Sequence, residues 1–375
     1  MNFTRTRAHL ALGLMAGLLT FGFWLVFYLR LSPQLGFPAS TLETVFANYD
    51  GPNYIIVSKC WYQRDCILEN FSLPQPAEYY SAHFPGYPLL IQFFSFFTTS
   101  TKAMLLATFV GSIFLTLVTF EFFKLFLATN TSFWLSFITL FLPARLLVLR
   151  VVGAPETWFI ALTLTSIIFF KNKKFLVAAI FAALAQIFKS PGIILFIAYS
   201  LMFLVDLARS CKPNLSYLYF LLIPFTTLAI FGFYYLQTGD FWAYFHSGDN
   251  FHLYSLPYQV FVSNRSWINT IWLEDIVYIF VLIFVGIQLL LKNYPQDLIF
   301  LYPLLFALVS LFVAHRDISR YVLPLFPYLI LAFSSHLKSS IFRVAFFLII
   351  PAILFYTINF VIGNTSPIAD WTPYL

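Results

Sequence analysis

Residues 10–29 read LALGLMAGLLTFGFWLVFYL, twenty positions without a formal charge. An α-helix rises about 1.5 Å per residue, so this stretch is about 30 Å long and matches the hydrocarbon thickness of a bilayer. Arg5 and Arg7 precede it and no small-residue cleavage site follows it. It is therefore expected to be a retained first span and not a removed signal peptide. Ten further apolar stretches, at 103–123, 132–149, 155–170, 174–188, 191–207, 217–236, 273–291, 297–314, 320–335 and 341–361, bring the expected crossings to about eleven. The expected fold is an all-α polytopic membrane protein, one integral-membrane domain over residues 1–375. The whole composition agrees: 61% of the residues are hydrophobic and 10% charged, where a soluble domain carries about 25% charged residues. That excludes an ordinary soluble enzyme, a nucleic-acid-binding protein and a disordered chain. The 49 Phe residues read as lipid-facing and interfacial bulk.

The charges set the expected orientation. With the N-terminus in the cytoplasm, the short loops on that side collect Arg5, Arg7, Lys124, Lys171, Lys173, Lys174, Arg209, Lys212, Lys292, Lys338 and Arg343 and sum to +8, against −2 on the other side. The positive-inside rule favours this arrangement. Two long segments, 30–102 and 237–272, then fall on the non-cytoplasmic face. In the first, residues 84–98 are too short to span and are expected to lie in the interface as a helix. No fixed-period repeat, matched pair of broken helices or phosphate-binding glycine loop occurs, which argues against the common transporter architectures.

Several residues in the outer segments carry possible chemistry. Asp50 lies in Tyr49-Asp50-Gly51-Pro52-Asn53-Tyr54. A partly buried carboxylate there can serve as a general base, its pKa raised by burial, or Asp-Gly-Pro can be a plain turn. His83 opens a Pro-Gly-Tyr-Pro corner that includes Tyr87 and either contacts a sugar or phosphate or only shapes the chain. Glu156 follows Pro155, in the first turn of a helix, where the dipole favours a carboxylate. Arg145 lies several residues inside a span, at a cost of at least ~2.5 kcal/mol in free lipid, and is expected to face a protein-lined cavity. Lys189 sits in the Lys-Ser-Pro-Gly break at 189–192. In His315-Arg316-Asp317-Ile318-Ser319-Arg320-Tyr321, the two arginines are four apart and would share a face if the turn were helical. Paired guanidiniums suit a phosphate, and a basic loop near lipid head groups is the alternative. Asp240, His246, Asp249 and His252 do not have metal-ligand spacing. Cys60 and Cys66 can pair only if the chain turns between them.

Three of these motifs, in this order, carry a resemblance: Tyr49 to Tyr54, Phe84-Pro85-Gly86-Tyr87-Pro88-Leu89, and His315 to Pro327 with its Arg-Tyr-x-Leu-Pro-x-x-Pro ending. The chain resembles the GT-C membrane glycosyltransferases and is most similar to the PIG-V-type mannosyltransferases and their bacterial relatives. Lys189-Ser190-Pro191-Gly192 and Thr238-Gly239-Asp240 also look like segments of that family. Tyr49 stands where the family commonly has Trp. The resemblance implies a GT-C-like fold with a large first outer loop. It implies inverting transfer of a sugar, mannose in that family, from a polyprenyl-phosphate donor to a lipid or glycan acceptor on the non-cytoplasmic face. Asp50 would be the catalytic base. Arg316, Arg320 and Lys189 would bind the donor phosphate, and His83, Tyr87, Glu156, His315 and Tyr321 would contact substrate. No resident cofactor is implied, and a divalent metal is optional. The host membrane would be the plasma membrane in a bacterium or the endoplasmic reticulum in a eukaryote. A lipid-linked-glycan flippase and a non-catalytic relative are the alternatives.

Overall fold

A computed structural model describes residues 4–248, 252–270 and 272–375. Among these, every regular element is a helix. The N-terminal half holds α1 (Arg5–Tyr28), α2 (Leu42–Phe46), α3 (Gly51–Cys60), α4 (Arg64–Asn70), α5 (Gly86–Ser95), α6 (Ser100–Lys124), α7 (Thr129–Ile138), α8 (Ala144–Leu149) and α9 (Glu156–Lys171). The C-terminal half holds α10 (Phe175–Phe188), α11 (Ile193–Ser210), α12 (Leu222–Thr238), α13 (Glu274–Asn293), α14 (Leu298–Ser310), α15 (Ile318–Tyr321), α16 (Phe326–Ala332), α17 (Ser334–Leu337) and α18 (Ser340–Gly363).

Six helical segments are long and apolar enough to cross a bilayer: Arg5–Tyr28, Ser100–Lys124, Ser190–Ser210, Leu215–Thr238, Glu274–Asn293 and Ser340–Gly363. They coincide with six of the eleven expected crossings. The other five form shorter or broken helices. Proline explains two of them, because it lacks the N–H that would continue the helix. The 132–149 stretch splits into α7 and α8 before Ala144, at Leu142-Pro143, and Pro324 and Pro327 divide 320–335 into α15, a 3₁₀ turn and α16. The 14 residues of α10 and 13 of α14 reach only about 20 Å.

Helix α6 is the axis of the N-terminal half. It is 67% buried over its most apolar window, against 28–33% for the other five long segments. It packs against α1, α5, α7 and α9. Gly111 permits the approach of α9, since a Cβ there would lie 2.6 Å from both Thr157 Oγ1 and Trp158 Nε1. Near the C-terminal end of α6, Glu121 accepts from Arg5 at 2.6 Å and faces His9 at 2.7 Å, tying α1 to α6.

Residues 30–102 fold onto this axis. Tyr87, Pro88 and Ile91 of α5 are buried against the protein while Leu89, Phe93, Phe96 and Phe97 are exposed. That two-sided pattern is the one expected of an interfacial helix. The chain does turn between Cys60 and Cys66: Trp61 and Tyr62 take left-handed backbone angles, φ 46° and 69°, and the two cysteines form a disulfide with Cα atoms 5.6 Å apart. The C-terminal tail clamps the turn before α3. Asn48 Nδ2 donates to the carbonyls of Val361 and Asn364, both at 2.8 Å, and Ser366 N donates to Ala47 O at 2.8 Å.

Gly153 brings the loop before α9 against the start of α3; a Cβ there would lie 3.0 Å from Gly51 Cα. Gly153→Val should therefore cost about 1–3 kcal/mol through overpacking, read as a lowered thermal unfolding midpoint in detergent. An unchanged midpoint would show that the two loops are not in contact.

Candidate active site

Five chain segments bring ionisable side chains to one point at the end of the helical body that carries residues 30–102. Asp50 flanks α3, and its side chain does not cap that helix. It turns instead toward α15, where Asp50 Oδ2 lies 2.8 Å from the Arg320 guanidinium. Asp50 Oδ1 is 4.0 Å from His83 Nε2, held by the 3₁₀ turn that precedes α5. Glu156 opens α9 behind Pro155, and its Oε1 accepts from Arg320 Nε and from Lys189 Nζ, each at 2.7 Å. Lys189 comes from the break between α10 and the 3₁₀ turn before α11. The result is a continuous row, Lys189–Glu156–Arg320–Asp50–His83, with Glu156 almost wholly buried at 1% exposure.

A second cluster adjoins it. Arg145 of α8 donates to the Asp317 carboxylate and the Tyr49 hydroxyl, and Tyr49 also bonds Asp317. The Arg145 guanidinium lies 3.8 Å from the Phe360 ring centroid, and that of Arg320 lies 4.2 Å from the Tyr49 centroid. Arg145 thus faces protein, as its depth in the sequence demands. Its partner Asp317 lies 172 residues away, in the His315–Tyr321 motif, where the motif alone does not mark it as a site residue. The need of a buried arginine for a carboxylate was the signal that could have found it.

The electrostatics differ from the sequence expectation at Asp50. Burial pushes its carboxyl up, but the Arg320 guanidinium and His83 outweigh burial and hold it well below the usual carboxylate range. Burial and the neighbouring His252 push His315 down to about 4, so its imidazole is neutral at pH 7. His315 Nδ1 accepts from Asp317 N at 3.0 Å, and its ring sits 4.4 Å from that of His252.

The structure gathers Asp50, His83, Glu156, Lys189, Arg320 and Tyr321 around one pocket of about 140 Å³, with Tyr54 and Tyr244. Three expected site residues stand apart from it. Arg316 is exposed and precedes α15, which begins only at Ile318; the helical turn that would align it with Arg320 is absent. Tyr87 is buried, its hydroxyl 2.9 Å from Met104 O and 2.6 Å from Thr108 Oγ1. His315 lies behind Tyr321, 5.3 Å between ring centroids. Among the described residues no group of three or more metal-ligating side chains occurs; Asp240 pairs with His246 at 2.6 Å, and Asp249 lies outside the described residues.

The charged pocket shares Ser190, Pro191, Tyr244, Phe306 and Tyr321 with a cavity of about 480 Å³. That cavity runs between α11, α12 and α14 and is walled by Ile194, Ile197, Phe231 and Val309. It is apolar along the membrane-facing helices and charged only where it meets the row of ion pairs.

No family model matches the chain, and no curated protein matches it. Solved structures share its fold, and two of them illustrate it. One is the oligosaccharyltransferase of Archaeoglobus fulgidus in its apo form, with a TM-score of 0.55 and 14% identity over 97% of this chain. The other is the oligosaccharyltransferase AglB from the same organism, in complex with an inhibitory peptide and a dolichol-phosphate, with a TM-score of 0.52 and 13% identity. The chain spans 57% of the length of each. At these identities the likeness is one of fold, the GT-C fold, in an integral membrane protein.

Removing one member of a buried ion pair leaves the other charge unpaired, at a typical cost of 3–5 kcal/mol. Arg320→Met should destabilise the protein by about that much, and Arg320→Met combined with Asp50→Asn and Glu156→Gln should recover part of the loss in thermal unfolding. Equal midpoints for the single and triple variants would contradict the shared-arginine geometry. Because folding lowers the Asp50 pKa, its pairing stabilises fully above the ordinary carboxylate value of 3.8 and drains away as pH falls below it. Asp50→Asn should flatten the acid limb of the stability curve.

Proposed function

We propose that the protein is a membrane glycosyltransferase that takes a sugar from a polyprenyl-phosphate donor and passes it, with inversion, to an acceptor hydroxyl on the non-cytoplasmic face. One observation carries this reading: an apolar cavity along membrane-facing helices opens into a pocket lined by Lys189 and Arg320. A lipid-linked phosphate has the same two halves. The shared fold supports it, since a solved structure of that fold is a complex with a dolichol-phosphate. Mannose is the sugar that the motif resemblance favours.

The residues divide the work by their chemistry. Arg320 donates through Nε and one terminal nitrogen to its two carboxylates, leaving further N–H groups for phosphate oxygens. Lys189 donates to Glu156 and has two more N–H donors. Glu156 holds both cations in place. The acceptor oxygen attacks the anomeric carbon while its proton passes to Asp50, and the bond from that carbon to the phosphate oxygen breaks. The phosphate leaves with the bonding electrons, and the growing charge falls to Arg320 and Lys189. A phosphate drawn onto Arg320 competes with Asp50 for the same guanidinium. Donor binding then raises the basicity of Asp50 when a base is needed. His83, beside Asp50, orients the carboxylate. No metal is required by this scheme.

The orientation belongs to the same proposal. The Cys60–Cys66 disulfide fits an oxidising compartment, and the charge balance supports a cytoplasmic N-terminus.

Three results test the reading. Purified enzyme given radiolabelled polyprenyl-phosphate mannose and total membrane lipid should form a labelled product, and the same assay with other polyprenyl-phosphate hexoses fixes the sugar; no transfer from any of them would overturn it. Asp50→Asn should slow turnover by about 10²–10⁴-fold at equal fold stability, and a loss below threefold removes Asp50 as base. In a Cys211→Ser background, which spares the disulfide, single cysteines at the exposed positions Ser72, Ser255 and Thr372 should react with an impermeant maleimide in intact cells while one at the equally exposed Asn172 should not. The reverse pattern would place the site on the cytoplasmic face.

A further inference from the structure

A larger cavity, about 620 Å³, lies on the other side of the His83 wall from the charged pocket. The two cavities take alternate residues of the same segments. Ser81 and Ala243 line the outer cavity, while His83 and Tyr244 line the charged pocket. Tyr62, in the wall of the outer cavity, donates its hydroxyl to His83 O at 2.6 Å. Nothing in the transfer scheme above uses this cavity.

Its lining differs from that of the donor groove. Gln63, Asp65, Glu78, Gln237, Thr238 and Asp240 face it. The two glutamines bond each other at 3.1 Å through one amide group apiece, which leaves the Gln63 carbonyl and the Gln237 amide N–H groups for a ligand. Arg64 is engaged by Glu78 and His246 by Asp240. Carboxylates outnumber the lysine and arginine side chains in the lining, so the cavity repels a phosphate. It offers more acceptors than donors, and no sheet edge that would extend a peptide. A polyhydroxylated neutral ligand supplies the missing donors. Such a volume is typical of small-molecule sites. The rim is braced as well: the Cys60–Cys66 disulfide closes the turn that carries Gln63, Arg64 and Asp65, so the lip is fixed before a ligand arrives.

We infer that this outer cavity binds a neutral oligosaccharide, the glycan portion of the acceptor. The assignment to the acceptor rests on the glycosyltransferase reading; the carbohydrate chemistry rests on the lining. It identifies the acceptor as glycan-bearing and not as a bare lipid.

The full chain in lipid nanodiscs is tested with three free disaccharides, mannobiose, chitobiose and lactose, by saturation-transfer NMR. Farnesyl phosphate, followed by tryptophan fluorescence, reports separately on the donor groove. At least one disaccharide should bind. Gln237→Ala with Asp240→Asn should weaken it at least tenfold, as expected for loss of hydrogen bonds to charged and amide groups, with farnesyl phosphate binding unchanged. Arg320→Lys should do the opposite. If farnesyl phosphate binds and no disaccharide does, or if disaccharide binding ignores the cavity variants, the inference is overturned and the transferase reading stands. If the cavity variants abolish binding of an Asn-x-Thr hexapeptide and not of a sugar, the cavity serves a peptide and the inference is overturned. If neither probe class binds, the transferase reading falls with it.

Discussion

One guanidinium organises the ionisable pocket of this protein. Arg320 is shared between Asp50 and Glu156, so α15 joins the start of α3 to the start of α9, two elements that approach through Gly51 and Gly153. A buried charge is tolerated only when it is paired and hydrogen-bonded. Here three cations, Lys189, Arg145 and Arg320, meet three carboxylates, Glu156, Asp50 and Asp317, within two touching clusters. The segments that carry them have no common sequence neighbourhood. Their meeting is a property of the fold, and each pair in turn fixes the loop that bears it.

The helical body exists to hold those loops still. The small residues of α6 let α9 lie close, and aromatic pairs fill the remaining space: Tyr54 packs edge-on to both His83 and Tyr87, at 4.9 and 5.1 Å between centroids. Tyr87 therefore acts on the site through packing. Its hydroxyl spends both of its contacts on α6, and its ring sets the position of Tyr54 in the pocket wall.

Much of this was legible in the residues. Uncharged apolar runs gave an all-helical membrane protein, because a lipid-exposed backbone must satisfy its hydrogen bonds within the helix. Asp50, His83, Glu156, Lys189, Arg320 and Tyr321 stood out as polar groups beside apolar runs, and they do converge. What depended on three-dimensional neighbours was less visible. Hydropathy cannot separate a full span from a short buried helix, so α10 and α14 read like α13. The pairing of Arg316 with Arg320 assumed a helical turn that starts two residues too late. A rise in the Asp50 pKa followed from burial alone, and the residue that reverses it lies 270 positions along the chain. Asp317 looked like a loop residue because its partner, Arg145, comes from a helix formed much earlier.

The clamp on the Asn48 turn has a consequence for how the molecule comes into being. Its donors and acceptors sit at Val361, Asn364 and Ser366, while the turn they hold is made 313 residues before the first of them. Helices inserted in chain order would leave Asp50 without this support until α18 had been inserted and residues 364–366 had folded back onto the Asn48 turn. The loop that carries Asp50 and the residues that clamp it are therefore made at widely separated times, and any chain shorter than Ser366 has the loop without its full clamp.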